Sequence, residues 1–202
     1  MSRMKEAETL LKKYYGYRSF KPIQQKAIES VLNGQDTFVV MPTGGGKSLC
    51  YQIPALMLEG MTLVVSPLIS LMKDQVDQLL RLGISAACMN SMLDEVQYQA
   101  LRAQVLRGEI KILYVAPERL RSGEFLSVLR KQKISLVAVD EAHCVSQWGH
   151  DFRPSYHSIS QFIRTLSERP VVAAFTATAT TETRADIINR LELIRPNIYR
   201  AS

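Results

Sequence analysis

Short unbroken apolar runs recur along the chain. Between them lie longer stretches where apolar residues return every three or four positions. The runs Thr37–Met41, Thr62–Ser66, Ser85–Met89, Ile112–Ala116, Leu136–Asp140 and Val171–Phe175 predict strands buried on both faces, since a strand with one wet face alternates apolar and polar instead. The stretches Lys47–Leu58, Leu68–Leu82, Leu93–Arg107, Glu124–Lys131, Tyr156–Leu166 and Thr181–Leu191 predict helices. Strands alternating with helices predict βαβ units, hence an α/β fold with a mostly parallel sheet flanked by helices. The last residues, Ile198-Tyr199-Arg200, have the pattern of a further strand. Ahead of the first strand, residues 4–13 read as a short amphipathic helix, broken by Gly16 and its flanking tyrosines. Lys21-Pro22 then opens a second helix, with proline in the first turn, and Asn33-Gly34 closes it. No repeat or linker divides the chain, so a single domain over residues 1–202 is expected, with the helical segment 1–35 at its start.

In open parallel sheets, ligands bind at the carboxyl ends of strands. The chain puts its chemistry there. After the first strand comes Met41-Pro42-Thr43-Gly44-Gly45-Gly46-Lys47-Ser48, leading into a helix. Glycines let backbone N–H groups turn toward an anion without Cβ clashes, and the helix start adds unpaired donors. Lys47 is then placed to reach the β- and γ-phosphates and the Ser48 hydroxyl to ligate Mg²⁺. The usual phosphate-loop pattern begins with glycine, where this chain has Met41. The bland alternative is a surface turn before an ordinary helix. A second apolar run delivers Asp140-Glu141-Ala142-His143. Phosphate hydrolysis needs a carboxylate near Mg²⁺ and a group that orients the attacking water. Asp140 suits the first task and Glu141 the second.

Composition narrows the setting only a little. The 202 residues are 47% hydrophobic and 22% charged, ordinary for a globular protein with a real core. The net charge of +6 fits a nucleic-acid partner or a mildly basic enzyme equally well. Three scattered cysteines, Cys50, Cys88 and Cys144, form no C-x-x-C pair, so neither a structural zinc site nor a disulfide framework is expected. His143, His150 and His157 recur every seven residues without the spacing of a metalloprotease motif. The first residues lack the apolar core of a signal peptide, and no apolar run is long enough to cross a bilayer. An intracellular protein without a membrane partner is therefore expected.

The acidic and glycine motifs together resemble those of superfamily 2 helicases, and the flanking residues resemble the RecQ family of DNA helicases. Tyr15-Gly16-Tyr17 with Phe20-Lys21-Pro22 and Gln24 resembles its adenine-reading motif 0. Met41–Ser48 continued by Leu49-Cys50-Tyr51-Gln52-Ile53-Pro54-Ala55 resembles motif I, and Val65-Ser66-Pro67-Leu68 through Gln75 motif Ia. Tyr114-Val115-Ala116-Pro117-Glu118-Arg119-Leu120 is similar to motif Ib, and Phe175-Thr176-Ala177-Thr178-Ala179 to motif III. His143 to Pro154, with Gln147, Trp148, His150, Phe152 and Arg153, resembles the aromatic-rich loop of RecQ proteins. The likeness runs from about Tyr15 to about Leu191 in one consistent order.

The resemblance implies a RecA-like P-loop NTPase lobe with a DEAH box, binding ATP and Mg²⁺. It implies nucleotide contacts from Tyr17, Lys21, Gln24, Thr43, Gly44, Gly45, Gly46, Lys47 and Ser48, with Mg²⁺ held by Ser48 and Asp140. Gln24 suits adenine, since a glutamine amide can pair with N6 and N7. Lys21 stands where the family usually has arginine, keeping the charge but losing the planar fork. Gln147, Trp148, His150, Phe152 and Arg153 are implied to meet DNA, single-stranded or at duplex junctions. His143, Thr176 and Thr178 are implied to couple that loop to the acidic motif. By residue type alone, Trp148 fits a buried cap on the sheet edge as well as a stacking platform, but Gly149, Asp151 and Pro154 around it argue for an exposed, shaped loop. Thr176–Thr180 fits a strand end plus helix N-cap too. Arg119, Arg121, Arg130, Lys131 and Lys133 fit either a solvated face or a DNA track.

The implied activity is ATP-driven 3′-to-5′ DNA unwinding in repair and recombination, in the bacterial nucleoid region or a nucleus. The family's arginine finger lies in a second RecA-like lobe, for which 202 residues leave no room. The chain is therefore expected to be one piece of a longer protein and weakly active alone. The competing readings are a non-catalytic nucleotide- and DNA-binding module and an RNA helicase-type motor.

Overall fold

A computed structural model describes residues 2–42, 44, 46–121 and 123–201. Seven parallel strands form one sheet: β1 (Thr37–Val40), β2 (Met61–Val65), β3 (Ala86–Met89), β4 (Ile112–Val115), β5 (Ile134–Val139), β6 (Val171–Thr176) and β7 (Asn197–Arg200). Their order is β3-β4-β2-β5-β6-β1-β7. The long apolar runs become the central strands, while the outermost β7 is largely exposed. Burial on both faces is what made those runs continuous.

Alternate strand residues feed two cores. Phe38, Val40, Leu63 and Val65 face one side, against α5 (Glu95–Leu106), α6 (Glu124–Arg130), α7 (His157–Arg164) and α8 (Thr181–Arg190). Val39, Met41, Val64 and Phe175 face the other, against α2 (Pro22–Leu32), α3 (Leu49–Met57) and α4 (Ile69–Arg81). Helix α1 (Arg3–Leu10) lies outside this face. It packs through Ala7 and Leu11 onto Ile28, Leu32, Leu49 and Ile53, with Phe20 in the same cluster. This outer layer fixes the Tyr17–Gln24 segment beside the start of α3. The first helix departs from expectation at its end: it runs on through Leu11–Tyr15 as a wider π turn and stops at Gly16, whose φ is 75°. None of the described helices is long and apolar enough to cross a membrane.

One ion pair ties the far end of the sheet. Asp36, buried just before β1, receives Arg169 through both carboxylate oxygens, at 3.0 and 2.6 Å. The same oxygens accept the N–H groups of Val172 (3.0 Å) and Ile194 (2.7 Å). Asp36 thereby joins the entries to β1 and β6 with the turn before β7. Asp36→Ala would strand two N–H groups and take the counter-charge from Arg169, which keeps only the Pro170 and Glu192 carbonyls, and the expected loss is about 3 kcal/mol of folding free energy. Urea unfolding checks it, and a loss below about 1 kcal/mol would show the cluster to be idle.

Candidate active site

Strands β1, β6 and β5 lie side by side, with Val40 opposite Thr176 and Val139 opposite Ala174. Their carboxyl ends are thus level, and the loops leaving them share one edge. Met41 keeps one sheet bond, its N–H donating to the Thr176 carbonyl (3.0 Å), before the chain departs. Gly44 and Gly46 then take φ of 80° and 85°, backbone that side chains disfavour. At Gly46 an added Cβ would also lie 2.3 Å from the Gln24 amide nitrogen. Thr43 and Gly45, expected among the nucleotide contacts, lie outside the described residues. Helix α3 starts at Leu49, slightly later than the pattern predicts, and Ser48 makes no side-chain cap bond. The N–H groups of Cys50, Tyr51 and Gln52 are already taken up, by the Lys47 carbonyl (3.0 Å) and the Ser48 carbonyl (3.2 and 2.9 Å).

Lys47 reaches across β6 to the acidic turn. Its Nζ lies 3.9 Å from Asp140 Oδ1 and 3.8 Å from Glu141 Oε1. Burial pushes the Asp140 carboxyl above its usual pKa, Lys47 opposes that shift, and Glu141 adds to it. Two carboxylates against one ammonium leave excess negative charge, the donor set that suits a hard divalent cation. Glu141 has φ 49° and ψ 46°, a left-handed conformation at a non-glycine residue. That sharp turn lets two consecutive carboxylates face the same ammonium.

Behind them, His143 is buried, with Nδ1 2.9 Å from Thr176 Oγ1 and Nε2 3.6 Å from Glu141 Oε2. Burial depresses its pKa, against the pull of Glu141. At 3.6 Å its approach to Glu141 is longer than a hydrogen bond. Thr176 Oγ1 donates to the Thr178 carbonyl at 3.0 Å. Thr178 thus enters this chain through its backbone, with its side chain exposed. Thr180 separately caps α8 by accepting the Thr183 N–H.

The loop after this segment is exposed at its tip. Trp148 is 74% exposed, so it does not cap the sheet edge. Gln147 and His150 are also exposed, and His150 stacks on His143 at 4.2 Å. Phe152 meets His157 edge-on at 5.7 Å, and Arg153 pairs with Asp151 at 3.2 Å. The base is pinned: buried Ser146 donates to Asp186 (2.6 Å) and accepts the Trp148 N–H (3.1 Å). A cavity of 590 Å³, lined by His143, Trp148, His150, Thr178 and Arg200 among others, lies between this loop and the start of α8. Arg130, Lys131 and Lys133 flank the opposite, amino-terminal edge of β5, away from this site.

At the other end, Gln24 is buried and already bonded. Its Oε1 accepts the Lys21 N–H (2.8 Å), and its Nε2 donates to the Gly46 carbonyl (3.1 Å). It clamps the start of α2 to the phosphate loop. Lys21 itself is exposed at the N-cap of α2. Tyr17 is 59% exposed and lines a cavity of 360 Å³ with Tyr14, Tyr15, Gln52 and Arg81 among others.

Two features escaped sequence reasoning. Tyr15 donates to Gln52 Oε1 (2.6 Å), and the Gln52 amide donates to Gln75 (2.9 Å) and Tyr114 (3.0 Å). Tyr156, read only as a helix start, donates its hydroxyl to the Asp140 carbonyl at 3.0 Å. These partners sit far apart in the chain, and no spacing rule links them.

Comparison with known proteins matches residues 21–187 to a family model described as DEAD/DEAH box helicase. The chain is 51% identical over 192 residues to the ATP-dependent DNA helicase RecQ of Bacillus subtilis (strain 168), covering 95% of this chain and 32% of that protein. It is 45% identical over 202 residues to the ATP-dependent DNA helicase Q5 of Rattus norvegicus, covering 96% of this chain and 21% of that one. The chain thus spans about a third or less of the length of these curated relatives. Among solved structures, a hypothetical ATP-dependent RNA helicase from Sulfolobus tokodaii superposes with a TM-score of 0.73 at 24% identity, covering 97% of this chain and 57% of that one. The Mycobacterium smegmatis helicase Lhr bound to ssDNA and AMP-PNP superposes with a TM-score of 0.74 at 21% identity, over 93% and 26% of the two chains. At that identity the likeness is one of fold, a RecA-like helicase domain.

Gly46→Ala forces a side chain into left-handed backbone and against Gln24. The expected result is about tenfold weaker binding of a fluorescent nucleoside triphosphate. Titration by anisotropy measures it, and wild-type affinity would mean that this contact does not shape the loop.

Proposed function

The chain belongs to the DEAD/DEAH box helicase family, and from that premise we propose that it is the ATP-binding lobe of a RecQ-type, DNA-stimulated ATPase and 3′-to-5′ helicase. The observation that carries this reading is the approach of Lys47 to Asp140 and Glu141, at 3.9 and 3.8 Å, beside a loop that exposes Trp148. The choice of ATP and DNA draws on relatives named ATP-dependent DNA helicases, about half identical to this chain. Repair or recombination work, wherever the cell keeps its DNA, is part of the same reading.

Each residue then has a task. Lys47, with N–H groups of the phosphate loop, binds the β- and γ-phosphates. Ser48 and Asp140 would hold Mg²⁺, which when bound neutralises charge on the transferring phosphoryl group. Glu141 orients the attacking water and accepts its proton. Tyr17 stacks on the purine, Lys21 stays near it as a cation, and Gln24 meets the base edge while bracing the loop. Gln147, Trp148, His150, Phe152 and Arg153 take unpaired DNA by stacking and phosphate pairing. His143 and Thr176, with the Thr178 carbonyl, connect that surface to Glu141. The positive charge needed opposite the γ-phosphate comes from a second RecA-like lobe in a longer chain.

Glu141→Gln keeps the shape and removes the base. ATP turnover is expected to fall about 100-fold, with nucleotide affinity held. Trp148→Ala is expected to leave ATP binding intact and flatten the response of turnover to single-stranded DNA. Steady-state ATPase on this chain, and on one extended through a second lobe, reads both effects, with the extended chain the more active. Undiminished stimulation in Trp148→Ala would remove the loop from DNA sensing. Stimulation by RNA above that by DNA would make this an RNA motor instead.

A further inference from the structure

Tyr156 stands where the aromatic loop returns to the sheet. It ends the short 3₁₀ turn Pro154–Tyr156 and is 0% exposed. Its backbone continues a line of bonds back to the acidic segment. Tyr156 N–H donates to the Arg153 carbonyl (3.0 Å), and Arg153 N–H donates to the Cys144 carbonyl (2.8 Å). Its side chain closes the circuit, donating to the Asp140 carbonyl at 3.0 Å.

That carbonyl has particular leverage. It is one end of the peptide plane joining Asp140 to Glu141. The other end, the Glu141 N–H, donates to Asp140 Oδ1 at 2.9 Å. Rotating this plane changes φ of Glu141, which is held at a left-handed 49°. A residue in such backbone stays there only if its surroundings over-determine it. The Tyr156 hydroxyl grips one end of the plane from outside the acidic turn, and it is carried by the Trp148 loop.

We infer that Tyr156 is a positioning residue: its hydroxyl sets the Asp140–Glu141 peptide, so that the Trp148 loop and the two carboxylates change state together. This rests on the nucleotide- and DNA-binding reading of the site. Coupling between binding sites is reciprocal. A loop whose occupancy shifts the carboxylates must itself respond when nucleotide and Mg²⁺ reach them. The stack of His150 on His143 offers a parallel route, which a change confined to the phenol leaves in place.

Trp148 is the only tryptophan of the chain, so its emission reports the loop without a label. The experiment adds AMP-PNP with Mg²⁺ to this chain and to Tyr156→Phe, following Trp148 emission, with calorimetry for affinity and a thermal melt for folding. Wild-type emission is expected to shift on saturation. In Tyr156→Phe the shift should fall to below about half, with affinity within about twofold of wild type. A merely structural role for the phenol would lower the melting temperature and leave the shift. An equal shift in both proteins overturns the inference. So does binding without any shift in the wild type, which leaves the nucleotide reading intact. No binding by calorimetry overturns both. If Tyr156→Phe does not fold, hydrogen exchange on the wild type decides: the analogue should protect residues 140–146 and 147–156 together. Protection confined to 140–146 counts against coupling.

Discussion

The structure turns on one short-range electrostatic contact, Lys47 against Asp140 and Glu141. The ammonium leaves one strand and the carboxylates another, with β6 between them. Partly buried charges of opposite sign interact strongly only when nearby elements hold them close, because removing them from water costs more than a loose pair returns. The parallel sheet supplies that hold. Its level strand ends bring the two loops to one edge, and the cluster at Asp36 ties the entries of β1 and β6 to the turn before β7. The burial that makes the strands stable thus also keeps the site's charges within reach of one another.

Around this contact the chain spends backbone strain and polar burial in specific places. Glu141 accepts a left-handed conformation so that consecutive carboxylates face one way. Gly46 accepts a positive φ so that its carbonyl meets the Gln24 amide. Gln24 is both a candidate for reading the base and a brace for the candidate phosphate loop. The start of α2 and the glycine loop are then mechanically joined, since any tilt of the Gln24 amide is felt at Gly46. On the opposite side, His143 and Thr176 back the acidic turn, and the Trp148 loop is pinned at Ser146 and Tyr156. The exposed tip and the anchored base suit a surface meant to be touched and to report the touch.

Much of this was legible in the residues. Continuous apolar runs exist because water is excluded from both faces of a central strand, so the strands and the α/β class followed from pattern alone. Met41–Ser48 and Asp140–His143 were legible as candidates because phosphate chemistry, where it operates, constrains neighbours in sequence. What pattern could not supply were the partners. Gln24 with Gly46, Tyr156 with Asp140, Tyr15 with Gln52 and Asp36 with Arg169 are side-chain bonds between distant segments, and periodicity carries no information about them. The exposure of Trp148 was legible only through its neighbours Gly149, Asp151 and Pro154, because an aromatic residue by itself serves as core or platform depending on what packs over it.

By itself, then, the sequence narrowed the kind of chemistry: glycines, a lysine, a serine and two carboxylates at the carboxyl ends of two strands, at spacings that suit a phosphate site. The tertiary structure decided which strand ends lie side by side, hence which charges meet and which backbone is held under strain. The physical reason is that hydrophobic burial is encoded locally, residue by residue, whereas electrostatic contact depends on distances that exist only after the sheet has formed.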